Sequence, residues 1–122
     1  MGLDANQGRL LVLTARRDDL ELAMSTLTMR QQLLATKRAE AVAQKSAAMT
    51  AYYQSQDQSV AFEHTAAYIE YETEMSQLEM ADNQLDMQIK SMETEHQAVV
   101  AELEETRKLV DNNVKNTFGI FK

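Results

Sequence analysis

The residues best suited to chemistry in this sequence are two histidines and the carboxylates beside them. Glu63 precedes His64, and Glu93 lies three residues before His96. The Glu-x-x-His spacing of Glu93 and His96 is the one that di-iron helical bundles use, but such a site needs two of these motifs and the sequence holds one. A structural zinc site needs four ligands at short spacings, which neither histidine has. We therefore predict no metal site.

Other catalytic patterns are missing from the sequence as well. Only 3 glycines occur, and they do not form a phosphate-binding loop or a nucleophile turn of the G-x-S-x-G kind. Glu70 and Glu74 stand one helical turn apart, which is typical of a solvated helix face. We predict no catalytic residue, no cofactor and no enzymatic activity.

The 8 methionines suggest another kind of site, a pliable groove for a client helix. Three of them fall on the apolar seams described below, where core packing accounts for them: Met24, Met75 and Met92. Three others fall outside the seams and remain candidates for an interface: Met29, Met80 and Met87.

The elements that carry these residues are helical. The chain has 122 residues with no Pro, Cys or Trp, and its hydrophobic fraction of 44% is drawn largely from Ala, Leu and Met. This composition favours long amphipathic helices in one domain over any sheet fold. No apolar run approaches the roughly 20 residues that span a bilayer, and residues 1 to 30 lack the pattern of a cleavable secretory signal. We expect no membrane span and a mature chain that begins near Met1.

Charge is divided unevenly along the chain, whose formal net charge is −7. Residues 1 to 50 hold 7 basic and 5 acidic side chains, whereas residues 51 to 122 hold 5 basic and 14 acidic ones. The acidic surplus argues against nucleic acid and anionic membranes as partners, since both repel it. The division fits an ordinary solvated surface, and it also fits attraction between the two halves, within one chain or between chains.

Two heptad patterns predict two long helices. In the first half, one seam position carries apolar residues at every seventh place: Leu13, Leu20, Leu27, Leu34, Ala41 and Ala48. The other seam position begins apolar and becomes polar: Leu3, Leu10, Arg17, Met24, Gln31, Arg38, Lys45 and Tyr52. The seam therefore narrows along the helix, with small alanines allowing close approach.

The second half repeats the pattern. One seam position carries Tyr71, Leu78, Leu85, Met92 and Val99, and the other carries Tyr68, Met75, Asp82, Ile89, His96, Leu103 and Val110. Asp82 and His96 interrupt this seam. The apolar spacing continues through Val114 to Phe118 and Phe121.

Between the patterns lies QSQDQS, residues 54 to 59, which we predict as a turn. Ser55 and Gln58 have the spacing of a capping box, with Asp57 in the first turn of the next helix. We predict one helical domain over residues 1 to 122: a helix over about 3 to 53, a turn over 54 to 59, a helix over about 60 to 117 and an apolar tail over 118 to 122. Without Pro or Gly at the turn, a continuous rod is the alternative to the antiparallel hairpin. Tyr52 and Tyr53 are expected to pack at the turn.

Both helices also carry apolar residues outside their seams. The first has Leu11, Leu22, Met29 and Leu33, and the second has Phe62, Ile69, Met80, Met87, Val100 and Leu109. A single hairpin buries one face of each helix, so these side chains stay in water unless further copies cover them. The same reasoning applies to the apolar C-terminus. The residues predicted to serve self-assembly are Leu3, Leu10, Leu13, Leu20, Leu27, Leu34, Leu103, Val110, Val114, Phe118, Ile120 and Phe121.

The chain resembles the axial proteins exported by type III secretion systems, namely needle subunits and the innermost domain of flagellins. The features in common are the absence of Cys and Pro, the helical hairpin, the lack of a cleavable signal, and apolar residues at both ends: Leu3, Leu10, Leu11, Leu13, Phe118, Ile120 and Phe121. In that family, paired terminal helices stack into a tube. Needle subunits are usually shorter with a Pro-containing turn, and no flagellin-type outer domain is present here.

A second resemblance is to the small secreted helical hairpins of type VII systems. Their export tail carries a Tyr followed four residues later by an acid, which Tyr68 and Glu72 match and Tyr71 with Met75 does not. The Trp-x-Gly turn of that family is absent.

These patterns together predict an all-α antiparallel coiled-coil hairpin that assembles with copies of itself into a helical filament or tube. The resemblance implies export to the cell surface or the exterior without a cleaved signal, and contact with an export apparatus. The alternatives are a discrete coiled-coil adaptor, stalk or chaperone of a secretion apparatus, a type VII-like hairpin, and a cytoplasmic location.

Overall fold

The computed structural model describes the backbone of residues 2 to 120 and the side chains of residues 2 to 116. Helix α1 spans Leu3–Gln54, a short 3-10 helix spans Phe62–His64, and helix α2 spans Ala66–Ile120. No strand occurs in this part of the chain, and the two long helices pack against each other. The prediction of an all-α helical hairpin is confirmed, and the continuous rod is excluded.

The connection between the helices is longer than the predicted turn. Helix α2 begins at Ala66, whereas the sequence pattern places its start near residue 60. Ala61 and Thr65 both have extended backbone angles, with φ/ψ of −60/149° and −74/153°, so the chain leaves helical geometry on each side of the 3-10 helix. The non-helical residues on both sides of the 3-10 helix therefore place the start of α2 about six residues later than the pattern predicts.

The residue that caps α2 is Thr65, and the predicted capping box at Ser55 and Gln58 is wrong. The backbone N–H of Tyr68 donates to the Thr65 hydroxyl at 3.4 Å, which is the usual contact of an N-cap residue with the third helical residue. The same hydroxyl donates to the Phe62 carbonyl at 2.6 Å. Ser55 instead accepts a bond from the Asp57 N–H at 3.2 Å, which tightens the bend after α1.

Aromatic side chains pack against one another at the turn. Phe62, predicted to remain outside the seams, is only 4% exposed, because the 3-10 helix turns its ring inward. Its ring centroid lies 5.5 Å from that of Tyr52 and 5.5 Å from that of Tyr68. The Tyr52 hydroxyl donates to the Val60 carbonyl at 2.6 Å. The expectation that Tyr52 packs at the turn is confirmed, whereas Tyr53 contacts the Tyr52 ring but stays largely exposed.

Contacts divide the chain into two compact units. One joins α1 up to Thr26 with α2 from Ile89 onward, and the other runs from Leu27 to Gln88. In the first unit, Arg9 pairs with Glu102 at 2.9 Å and Arg16 with Glu95 at 3.3 Å. Residue numbers rise along α1 as they fall along α2, so the two segments are antiparallel.

The seam of the first unit is apolar at its centre and polar toward its end. Its core cluster contains Leu13, Leu20, Val99 and Leu103, with Leu10 packed against it. Two buried polar residues, Asn6 and Thr106, continue the same seam positions as Leu13 and Val99. A polar residue at a seam position disfavours shifted registers, because a shift would place it among apolar side chains. The sequence patterns did not identify either residue.

The seam of the unit from Leu27 to Gln88 is more polar, as the second half of the α1 pattern predicts. Leu27, Ala41 and Leu78 are buried in it. Between them lie charged side chains that reach across the seam: Arg38 Nη2 is 3.6 Å from Asp82 Oδ2, and Lys45 Nζ stands 4.7 Å from the Tyr71 ring centroid. These contacts also run antiparallel.

The Arg38–Asp82 pair provides a test of how charged residues in the seam change the free energy of unfolding. Both side chains are about one-third exposed, at 33% and 32%, and the buried Arg38 Nε has no hydrogen-bond partner. We expect the double variant Arg38→Leu/Asp82→Leu to be more stable than the parent by about 1 kcal/mol, because leucines fill the seam without a desolvation cost. Asp82→Ala alone should lose about 1 to 2 kcal/mol, since it leaves the guanidinium unpaired.

Urea unfolding followed by circular dichroism measures both changes. The exposed pair Arg9 and Glu102, replaced together by alanine, is the control and should change stability by less than about 1 kcal/mol. A double leucine variant less stable than the parent would contradict the expectation.

Candidate functional site

The predicted self-assembly residues fall into three groups in the structure. Four are buried in the seam of their own chain: Leu13, Leu20, Leu27 and Leu103. Five are half-buried: Leu3, Leu10, Leu34, Val110 and Val114. The side chains of Phe118, Ile120 and Phe121 lie outside the described residues. The first group has its apolar surface covered already within the hairpin, so the surface left for another molecule lies elsewhere on the helices.

That surface is formed by large apolar side chains outside the seams. The predicted exposure of Leu11, Leu22, Met29 and Leu33 on α1, and of Ile69, Met80, Met87 and Leu109 on α2, is confirmed. Their exposed fractions run from 48% at Leu109 to 72% at Leu11. Val100 is half-buried, and the sequence patterns did not identify four further exposed side chains: Val12, Val42, Tyr53 and Val60.

Heptad positions place most of these side chains opposite the seams. With the seam positions of Leu10 and Leu13 labelled a and d, Leu11 is at b, Leu22 and Met29 are at f, and Leu33 is at c. Positions b, c and f point away from the partner helix of a coiled coil. We call Leu11, Leu22, Met29 and Leu33 the α1 outer stripe.

Helix α2 carries a matching set. With Tyr68 at a and Tyr71 at d, Ile69 is at b and Met80 and Met87 are at f. We call these three residues the α2 outer stripe. Because 7 residues make about two helical turns and 11 make about three, the three residues of the α2 outer stripe, all in the unit from Leu27 to Gln88, lie on one side of α2. The methionines left open as interface candidates all belong to these stripes.

The two histidines do not form a metal centre among the described residues. His96 Nε2 lies 3.1 Å from Glu21 Oε1, so this seam histidine is held by a carboxylate of the facing helix. His64 ends the 3-10 helix and is exposed. No group of three potential metal-ligating side chains occurs in residues 2 to 116.

Tyr68 and Glu72, the pair noted for its export-tail spacing, interact one turn apart on α2. The Tyr68 hydroxyl donates to the Glu72 carboxylate, and this bond together with the negative charge of Glu72 raises the pKa of Tyr68 above its usual value of about 10. The protonated phenol is favoured because only the protonated form can donate.

The raised pKa predicts a defined pH response. A tyrosine whose pKa is higher in the folded than in the unfolded state contributes stability that is present below pH of about 10 and is lost as the pH rises through the folded pKa. We expect Glu72→Gln to lower the pKa of Tyr68 toward its usual value, as measured by NMR titration of the Tyr68 ring.

The control is Glu70→Gln, which removes the same charge from an exposed residue that does not contact the Tyr68 hydroxyl. Equal shifts in both variants would show that general charge, and not the Glu72 hydrogen bond, sets the Tyr68 pKa.

Neither helix, over the described residues, contains an apolar stretch of the length and purity that a bilayer crossing requires. Comparisons of the chain with protein-family models, with curated proteins and with solved structures found no match.

Proposed function

We propose that this protein is a structural subunit that assembles with copies of itself into a helical filament or tube. The observation that carries the proposal is the set of exposed apolar side chains on the outer faces of both helices. Contact with other copies is the simplest way to remove them from water, because the hairpin offers each helix a single partner and that partner already occupies the seam.

The energetic argument concerns the size of the exposed side chains. Covering a Leu, Ile or Met side chain contributes about 1.5 to 3 kcal/mol relative to leaving it in water. Seven such residues form the two outer stripes, and covering them between copies would contribute against the cost of association, which is about 4 to 15 kcal/mol in lost translational and rotational freedom. Scattered single apolar residues need no explanation, but side chains repeated on one side of a helix indicate an interface.

The stripes lie on two different helices, and this favours a filament over a closed dimer. A contact between unlike surfaces leaves one surface of each kind free at the ends of the assembly, so a further copy can add. Location at the cell surface or outside the cell, and handling by an export apparatus, form part of the proposal through the resemblance to type III axial subunits.

Electron microscopy and sedimentation of the purified protein test the proposal directly. A filament gives fibres in negative stain and pellets at high speed. A discrete coiled-coil adaptor, stalk or chaperone gives one small, sharply defined species in light scattering. A well-folded monomer at high concentration contradicts assembly of either kind.

The apolar C-terminus supplies a further prediction. Removing residues 118 to 122 takes away Phe118, Ile120 and Phe121, and we expect the polymer to disappear while helical circular dichroism is largely kept. Replacing only Lys122 by alanine is the control and should leave the polymer intact. An unchanged polymer after truncation would contradict the role of the tail but not the role proposed for the outer stripes.

A further inference from the structure

We propose that Met29, Met80 and Met87 form an oxidation-sensitive site, at which a peroxide converts the thioethers to sulfoxides and so prevents copies of the chain from assembling. All three residues belong to the unit from Leu27 to Gln88. The inference rests on the proposed function, because it concerns how the assembly is controlled. Two observations support it: which methionines are exposed, and which other oxidisable side chains the sequence lacks.

The methionines with described side chains divide into two groups by exposure. Met29, Met80 and Met87 are 59%, 62% and 70% exposed, and we call them the outer methionines. The four others are half-buried, and we call them the inner methionines: Met24, Met49, Met75 and Met92. An oxidant must reach the sulfur atom before it can react, so the outer methionines are expected to react first.

The sequence holds few other targets for a mild oxidant. It contains 8 methionines but no cysteine and no tryptophan. A cysteine thiolate is a stronger nucleophile than a thioether and would consume the oxidant first. In this chain the exposed thioethers are therefore the side chains that a peroxide attacks most readily.

The charge around Met80 and Met87 selects the kind of oxidant. Residues 46 to 89 hold 8 acidic side chains and no lysine or arginine. This negative charge repels anionic oxidants, whereas an uncharged peroxide approaches without that cost. Hydrogen peroxide is accordingly the oxidant that fits this part of the chain.

The reaction with hydrogen peroxide balances without a cofactor. The sulfur lone pair attacks one peroxide oxygen, the O–O bond breaks and an S–O bond forms. The sulfur loses two electrons, and the departing oxygen takes the proton from the attacked oxygen and leaves as water. The product is a methionine sulfoxide, which is polar where the thioether was apolar.

The position of the outer methionines separates assembly from folding. All three occupy heptad position f, which points away from the facing helix. In a single hairpin the new sulfoxide oxygen stays in water, so the helices remain folded. When another copy covers the outer face, that oxygen loses its hydrogen bonds to water, and burial of such a polar group is unfavourable. Oxidation therefore acts on assembly and not on the hairpin.

Assembly in turn protects the site. A copy whose outer face is covered keeps its thioethers away from the oxidant, and a free copy exposes them. Oxidation is therefore expected to block the addition of free copies and to modify assembled ones more slowly.

Peptide mass mapping after treatment with hydrogen peroxide tests the reactivity. The full chain is treated below the concentration at which it assembles, and the sulfoxide at each methionine is followed with time. We expect the outer methionines to oxidise several-fold faster than Met24, Met75 and Met92. Equal rates at the two groups would overturn the inference.

Sedimentation of the oxidised chain tests the effect on assembly. Oxidation should raise the concentration at which half of the protein pellets about tenfold or more, while helical circular dichroism is kept. Sulfoxide reductases specific for the two epimers, with dithiothreitol as reductant, should restore pelleting. In that step the dithiol becomes a disulfide and the sulfoxide oxygen leaves as water.

Two triple variants identify the residues responsible. Met29→Leu/Met80→Leu/Met87→Leu keeps the outer faces apolar and removes the reactive sulfurs, so it should assemble equally well before and after peroxide. The matched control is Met24→Leu/Met75→Leu/Met92→Leu, in which leucine suits the seam positions. It should assemble before the treatment and fail to assemble after it, like the parent.

The remaining outcomes overturn the inference in distinguishable ways. Polymer that persists with sulfoxide at all three outer methionines would reject the oxidation site and retain the proposed function. Loss of the helical signal together with the polymer would show that oxidation acts on the fold. An untreated chain that forms no polymer at any concentration would reject both the proposed function and its control by oxidation.

Discussion

The Met80→Glu variant is expected to lose the polymer while keeping its helical circular dichroism. Met80 lies at the centre of the α2 outer stripe with 62% of its surface exposed, so a glutamate is tolerated in the single hairpin. In the assembled state the new carboxylate would be buried against another copy without a partner, at a cost of several kcal/mol per contact. High-speed sedimentation should move the protein from the pellet to the supernatant.

Gln88→Glu is the matched control, because it adds the same charge at an exposed position of α2 that lies beside the seam and not on the outer stripe. It should sediment like the parent protein. If Met80→Glu also pellets normally, the outer stripe does not hold the copies together. If it loses its helical signal instead, Met80 contributes to the fold of the hairpin in a way that its exposure does not indicate.

Leu103→Ala should produce the largest loss of stability among single substitutions in the seam. Leu103 is only 3% exposed and belongs to the core cluster with Leu13, Leu20 and Val99. Removing its side chain leaves a cavity between two helices, with an expected loss of about 2 to 5 kcal/mol in the free energy of unfolding. Urea unfolding should be measured in the Met80→Glu background, because association would otherwise add to the apparent stability.

The control is Leu109→Ala on the same helix, where the side chain is 48% exposed. A substitution of that kind is expected to change stability by less than about 1 kcal/mol. Similar losses in both variants would mean that burial within the hairpin does not distinguish the two positions, and the assignment of the seam would have to change.

The hydrophobic period identified the seam correctly. Leu13, Leu20 and Leu27 recur at every seventh residue and all three are buried. A two-helix chain has one interface between its helices, so the residues that repeat with the heptad period all lie at that interface. The same argument predicted the exposure of Leu11 and Met80, since side chains off that period have no partner inside the hairpin.

The turn was predicted less well, because its geometry depends on contacts across the chain. Ser55 and Gln58 have a capping-box spacing, yet the helix starts eleven residues after Ser55, at Ala66. The burial of Phe62 against Tyr52 and Tyr68 fixes where the chain turns, and Thr65 caps the helix that results. A local motif carries no information on that aromatic packing.

The heptad patterns also did not predict the contacts that the polar seam residues make. Periodicity showed that Asp82 and His96 interrupt the apolar run, but it did not show that they face Arg38 and Glu21. Which charges meet depends on the register of the two helices, and the register is set by all the seam contacts together.

The sequence alone therefore determined the class of fold, the residues of the seam and the existence of uncovered apolar positions, because each of these follows from periodicity on a helix. Only the tertiary structure decided where α2 begins, that Phe62 is buried, and which charged side chains cross the seam. Those features depend on which parts of the chain lie beside each other once the helices pair, and no local pattern encodes that pairing.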